Sequence, residues 1–339
     1  MSRIQENVSL KSYNTFGIEV KADYFVEVDS VESLKTLFLD ERFTSMPKLI
    51  LGGGSNILLT DDYKGLVIKN GISGIEKISE DEEHVVLSVG AGENWHEFVM
   101  YAIDQNLGGI ENLSLIPGTI GAAPMQNIGA YGVEIKDVFH FLEALNKKTL
   151  EVEVFRSENC KFGYRQSVFK NVLKHKYVIT TVSFRLSKSH TLNTSYGAIE
   201  DTLDNEGIAN PTIKDVSNAV IKIRQSKLPD PVEIGNAGSF FKNPVISSID
   251  YEGLKAEFPD IPSYELPNKE VKIPAAWLIQ SCGWKGKRIG DIGVHEDQAL
   301  VLVNYGNGNG NDLKQLALDI KNSVADKFGI ELEMEVNVV

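Results

Sequence analysis

Apolar positions in the N-terminal half switch between the two-residue repeat of strands and the three-to-four-residue repeat of helices. Residues 22–29, ADYFVEVD, read as a strand. Asp29, with Glu32 three positions on, has the spacing of a helix cap, and Leu34, Leu37 and Phe38 give the helix that follows an apolar face. A short strand at 48–51 runs into Gly52-Gly53-Gly54-Ser55-Asn56, and further strands are expected around 65–69 and 84–89. Asn94 and Glu97 cap a second helix, whose buried stripe is Trp95, Phe98, Val99, Ala102 and Ile103.

From Gly108 to Gly132 no period persists. The stretch GGIENLSLIPGTIGAAPMQNIGAYG is dominated by small residues, which let main chain approach something closely. Alternation returns at 177–186 with Val178, Thr180, Val182, Phe184 and Leu186. Thr212 caps a helix carrying Val216, Ala219, Val220 and Ile223, and Pro229 and Pro231 end it at an expected domain boundary. The last third reads as a smaller α+β unit. It has a helix at 274–282, a strand at 299–304, and a helix from Asp312 to Phe328 closed by Gly329. The final run alternates Ile330, Leu332, Met334, Val336 and Val338 with Glu331, Glu333 and Glu335, the pattern of a half-buried strand.

Composition narrows the class. The 339 residues are 42% hydrophobic and 24% charged, as in ordinary globular proteins. No apolar run nears the roughly 18 residues of a membrane span, and the start lacks a signal core, so a cytoplasmic protein is expected. Cys160 and Cys282 form no CxxC, and the six histidines show no ligand spacing, so no disulfide and no metal are expected. A net charge of −13 disfavours nucleic acid and anionic membrane as partners. Yet Arg165, Lys170, Arg224, Lys227, Lys242, Lys285, Lys287 and Arg288 stand in distinctive segments, which suits a small anionic ligand.

Five segments carry candidate chemistry. Glycine turns such as 52–56 can point N–H groups at an anion, but neither GxGxxG nor a P-loop lysine is present. A second glycine-rich stretch, 118–132, doubles the main chain available to a long dinucleotide; the plain alternative is a packing seam. Arg165, in GYRQSVF, is suited to gripping a carboxylate, and a surface ion pair is its alternative. Ser239, in GNAGSFFKNP, lacks a hydrolase elbow but can deliver a proton if held dry; otherwise it is a turn serine. Glu335, on the polar face of the last run, is by default a solvated carboxylate.

The ordered set GGGSN (52–56), IPGTIGAAPMQNIGAYG (116–132), GYRQSVFK (163–170), SKLPDP (226–231) and GNAGSFFKNP (235–244) resembles the UDP-N-acetylenolpyruvoylglucosamine reductases over nearly the whole chain. That resemblance implies an α+β fold. An FAD-binding domain of the vanillyl-alcohol-oxidase type would occupy 1–72 and 73–228 as two subdomains, with a lid loop near 190–200. A C-terminal α+β substrate-binding domain would occupy 229–339. It implies FAD and NADPH as cofactors, UDP-N-acetylglucosamine enolpyruvate as substrate, and a monomer acting in peptidoglycan precursor synthesis.

By similarity, Gly52, Gly53, Gly54, Ser55 and Asn56 line the flavin, as do Pro117, Gly118, Thr119, Gly121, Ala122, Ala123, Gly129, Ala130 and Tyr131. Tyr164, the lid residue Tyr196, Lys227 and Asn243 match substrate-contacting positions, and Arg165, Ser239 and Glu335 match the catalytic ones. Glu333 is a rival to Glu335; Phe328-Gly329 and Val336 hold the spacing that favours Glu335. The chain departs from the family pattern at Met334, where Pro is frequent, and at Arg288, near which Gln is frequent. An oxidase of the same fold and a non-catalytic binder of flavin or nucleotide sugar are the alternatives.

Overall fold

The first of two units in the computed structural model, which describes residues 3–339, holds the chain up to Val8, Ala22–Gly54 and Tyr63–Ser226. It carries two larger sheets. The strands Gln5–Ser9, Lys21–Val28, Tyr63–Asn70 and Lys48–Leu51 are neighbours in that order, the last three parallel. The helix Val31–Leu39 provides the crossover that parallel pairing requires. The other sheet is antiparallel, in the order Val152–Arg156, Phe139–Asn146, Tyr177–Ser187, His84–Gly90 and Ile75–Glu80.

The hydrophobic pattern explains the packing. The Trp95–Asp104 helix is capped by Asn94, whose side chain accepts the Glu97 N–H at 3.1 Å, and it buries the five expected residues. Trp95 and Phe98 meet Phe184 of the long central strand edge to face and tilted, with ring centres at 5.7 and 5.1 Å. Leu145 and Val178 of the antiparallel sheet join Val26, Leu34, Leu66 and Ile68 in one core, so the two sheets share an interior. Strands at 75–80, 139–146 and 152–156 are additions to the sequence reading.

The second unit holds Ser9–Lys21, Ser55–Asp62 and Lys227–Val339. Its main sheet runs Gly235–Ser239, Val301–Asn304, Ile292–Val294, Arg288–Ile289 and is covered by the helix Gly310–Phe328. Two N-terminal segments thus group with the C-terminal residues, beside the contiguous division at 72 and 228 that the resemblance implies. Ile57–Leu58 pairs in parallel with Asn337–Val338, and the Thr60 N–H donates to the Val339 carbonyl at 2.8 Å. Asn304 Nδ2 donates to the Phe16 carbonyl at 2.8 Å, and a Cβ on Gly235 would lie 2.7 Å from the Phe16 carbonyl carbon.

Three local expectations shift. Ser30, not Asp29, caps the first helix, because Ser30 has the extended backbone that lets its hydroxyl reach the Ser33 N–H. The last helix starts at Gly310: Asn309 caps it and accepts the Asp312 N–H at 2.8 Å. The final run alternates in burial but is a strand only at Asn337–Val338; its earlier part is extended chain with an isolated bridge from Met334 to Phe241. No helix among the described residues is long and apolar enough to cross a membrane.

Candidate active site

In the first unit the two glycine-rich stretches touch. A Cβ on Gly53 would lie 3.0 Å from the Gly118 Cα, and one on Gly52 would lie 2.5 Å from Thr119 Oγ1. Gly54 and Gly118 have φ of +64° and +119°, which glycine adopts at little cost. The N–H groups of Gly53 and Gly118 have no protein acceptor among the described residues, so both can donate to a bound oxygen.

The second stretch is ordered, not a loop without structure. Ile120–Met125 forms 3-10 turns, anchored by Ile120 and Gly121 N–H groups donating to the Glu93 and Ala91 carbonyls. Ala123 is 2% exposed, so its side chain packs into the core, whereas Pro117 and Ala122 are open to solvent. Gly129–Ala130 then pairs with Val133–Glu134 in a hairpin. Its two-residue tip, Tyr131 and Gly132, has φ of +49° and +80°, the geometry that matches strand twist in such turns.

Arg165 lies at the tip of another tight turn, where Gly163 and Gln166 exchange two 3.1 Å main-chain bonds. Its own φ is +52°, strained for a side chain of that size. Three contacts hold the turn against residues 125–129. Arg165 Nη2 donates to the Gly129 carbonyl at 2.6 Å, buried Asn127 Nδ2 donates to the Gly163 carbonyl at 3.1 Å, and Ser167 Oγ donates to the Met125 carbonyl at 2.7 Å. The guanidinium also lies 5.5 Å from the ring centre of half-exposed Tyr164.

The sequence reading named Arg224 only as one cation among several; the structure makes it part of this locus. It projects from the Ile213–Lys227 helix, donates through Nε to the Leu115 carbonyl at 3.2 Å, and hydrogen-bonds Tyr131. Burial lowers its pKa, and the positive charge of nearby Arg165 adds to the effect. Burial likewise raises the Tyr131 phenol. Leu115, at φ +58°, is gripped on its other side by His96, whose Nδ1 accepts the Leu115 N–H at 3.0 Å. Burial lowers the His96 pKa, which favours the neutral ring that can accept. Two guanidiniums within each other's field make an anion-favouring spot. Only the polar face of an amphipathic helix could have signalled Arg224. Tyr196 precedes the helix Gly197–Asn205, is 49% exposed, and meets Tyr131 edge to face at 5.4 Å.

In the second unit Ser239 ends the Gly235–Ser239 strand, opposite Val301. Phe240 follows, and its carbonyl accepts the Glu335 N–H at 2.8 Å, so Ser239 and Glu335 stand on adjacent extended segments. Asn56 Nδ2 donates to the Glu335 carbonyl at 3.4 Å, which ties the 55–56 segment to the same ribbon. Glu333 is otherwise engaged: its carboxylate meets buried Lys242 at 2.5 Å. Asn243 Oδ1 accepts the Ala275 N–H at 2.9 Å and so starts the Ala275–Ser281 helix, which leaves its amide NH₂ end for a ligand. Lys227 is exposed at the end of its helix. Arg288 stacks on Tyr305 at 4.1 Å and donates to the Gly290 carbonyl, within an exposed hairpin. No cluster of three metal-ligating side chains occurs among the described residues.

Comparison with known proteins follows this division. Residues 22–153 match the family described as FAD binding domain, and residues 230–339 match UDP-N-acetylenolpyruvoylglucosamine reductase, C-terminal domain. The UDP-N-acetylenolpyruvoylglucosamine reductase of Flavobacterium johnsoniae is 53% identical over 99% of both chains, and that of Amoebophilus asiaticus is 51% identical over 99% of both. The crystal structure of the Thermus caldophilus reductase superposes with a TM-score of 0.67 at 25% identity, covering 100% of this chain and 99% of that one. The chain belongs to the UDP-N-acetylenolpyruvoylglucosamine reductase family.

Proposed function

We propose that Arg165, Ser239 and Glu335 are the reacting side chains of an FAD-dependent reductase that converts UDP-N-acetylglucosamine enolpyruvate to UDP-N-acetylmuramate with NADPH. The observation that carries the flavin assignment is the contact of Gly53 with Gly118, with both N–H groups left to donate. Gly52, Gly54, Ser55, Asn56, Pro117, Thr119, Gly121, Ala122, Gly129, Ala130 and Tyr131 complete the set of residues assigned to the cofactor. When bound, FAD carries the hydride of NADPH to the methylene carbon of the enolpyruvyl ether.

The protein's own groups then manage charge and one proton. Negative charge develops on the α-carbon and its carboxylate. Arg165, positioned by its bond to the Gly129 carbonyl, grips that carboxylate through its guanidinium. Glu335 in its protonated form donates a hydrogen bond to the same group. Ser239 gives its proton to the α-carbon, which completes addition of one hydride and one proton across the double bond. A serine hydroxyl is a weak acid and needs a cation beside it; Lys227 is assigned that part. Tyr196 closes over the nucleotide sugar, and Tyr164, Lys227 and Asn243 contact it. On this reading the enzyme works in the cytoplasm as a monomer.

The test is a visible spectrum followed in two steps. A yellow protein should bleach with NADPH and regain its colour with the enolpyruvyl nucleotide sugar, far faster than with air. Recovery driven by air alone would mark an oxidase instead.

A further inference from the structure

Asn112 lies in the short turn Glu111–Leu113 and is 1% exposed. Its Nδ2 donates to two main-chain carbonyls, that of Tyr131 at 3.0 Å and that of Asn193 at 2.8 Å. Tyr131 stands at the tip of the glycine hairpin; Asn193 opens the segment that leads to Tyr196. The Oδ1 of the same amide is buried and has no hydrogen-bond partner. A buried amide serving packing alone would satisfy both ends or be replaced by an apolar group. Here both protons are used and the acceptor is left over. The amide cannot turn over, because Oδ1 would then face two carbonyl oxygens.

The neighbouring contacts follow the same seam. Asn193 Nδ2 donates to the Gly132 carbonyl at 3.3 Å, and a Cβ on Gly132 would lie 2.8 Å from that nitrogen. Ser195 Oγ donates to Asn193 Oδ1 at 2.9 Å. Ser195 and Tyr196 are exposed, and the next firm anchor is Ile199, fully buried against Val216 and Val220. One side chain thus fixes the tip of the hairpin and the root of the tyrosine segment together.

We infer that Asn112 is a positioning residue that couples the Gly129–Glu134 hairpin to the Tyr196 segment, so that order in the hairpin sets the resting position of the lid. The inference rests on reading residues 129–131 as flavin-facing and Tyr196 as the lid over the nucleotide sugar. Asn112→Asp keeps the shape but sets a charged oxygen against two carbonyls; Asn112→Ala removes the donor without adding charge.

In FAD-loaded holoenzyme, either variant should raise hydrogen exchange at amides 193–197 and 131–132 by roughly tenfold or more, while exchange in the Trp95–Asp104 helix and the visible spectrum stay as in the wild type. The KM for the enolpyruvyl nucleotide sugar should rise about tenfold, with kcat and the rate of flavin reduction by NADPH within about twofold. Wild-type exchange at 193–197 in a variant that holds flavin overturns the coupling, and so does a rise spread evenly through the chain. Raised exchange with an unchanged KM upholds the coupling and removes Tyr196 from substrate binding.

Discussion

The Arg165 turn and the Ser239–Glu335 ribbon hold their proposed reacting side chains by opposite means. Around Arg165 the chain repeatedly enters the left-handed region at non-glycine residues: Leu115, Asn127, Tyr131 and Arg165 all have positive φ. Each takes part in side-chain hydrogen bonds within the same unit: Leu115 with His96 and Arg224, Tyr131 with Asn112, and Asn127 and Arg165 through their own side chains with the Gly163 and Gly129 carbonyls. Around Ser239 and Glu335 the backbone is largely extended, and the register is set mainly by main-chain bonds, joined by the Asn56 side chain on the Glu335 carbonyl. Strained positions persist only when their surroundings over-determine them, whereas a ribbon tolerates loss of any one side chain. Substitutions in the ribbon should therefore change chemistry with little change in stability, and substitutions beneath the Arg165 turn should cost stability first and activity through it.

The largest effect is expected at Ser239→Ala. Substrate-driven reoxidation of the flavin should slow by about 10²–10⁴-fold, with reduction by NADPH near normal. Stopped-flow measurement of each half-reaction decides it; equal loss in both would point to a binding or folding defect.

Glu335→Gln and Glu333→Gln separate the two candidate glutamates inside one ribbon. The first should slow substrate-driven reoxidation by roughly tenfold or more while leaving stability unchanged. The second should leave the rate within about twofold and cost at most about 1 kcal/mol, since its partner Lys242 is buried but Glu333 itself is 63% exposed. Reversed outcomes would transfer the catalytic role to Glu333.

Beneath the Arg165 turn, Asn127→Ala removes two side-chain donations, to Glu134 Oε2 and the Gly163 carbonyl, at a residue with φ +45°. A loss of about 1–3 kcal/mol in urea unfolding is expected, accompanied by weaker substrate turnover as the turn loosens. Unchanged stability would mean that the turn is held by the ribbon-like redundancy seen elsewhere.

The smallest effect concerns pH. Burial lowers the His96 pKa below its ordinary 6.5, aided by Arg224 and opposed by Glu97. The unfolded state binds the proton first, so this contribution is whole above about pH 6.5 and is lost as pH falls toward the folded value. His96→Asn, which keeps an acceptor for the Leu115 N–H, should show a shallower fall in Tm between about pH 7 and 5 than the wild type. Parallel curves would remove His96 from the support of Leu115.

Periodicity made the rule-abiding parts legible. Asn94 and the five buried residues of its helix, the strand ending in Leu51, and the Ile213–Lys227 helix follow from spacing because local preference and burial agree there. The last run misled for a physical reason: alternate residues are buried against different neighbours, but main-chain partners exist at only part of its length. Asp29 misled because an adjacent hydroxyl competes for the same N–H. The motif residues were found by likeness of the whole ordered set. Arg224, His96 and Asn112 were not, because their roles come from contacts across the fold that no local spacing encodes.

The pairing of Ile57–Leu58 with Asn337–Val338 bears on synthesis as well as on stability. Chains emerge from the ribosome N-terminus first, so segments 9–21 and 55–62 appear long before the residues that receive them. The first unit can begin to assemble during translation, but the second must wait until residues 337–338 have emerged. Deleting residues 337–339 would leave the 57–58 segment without its partner strand.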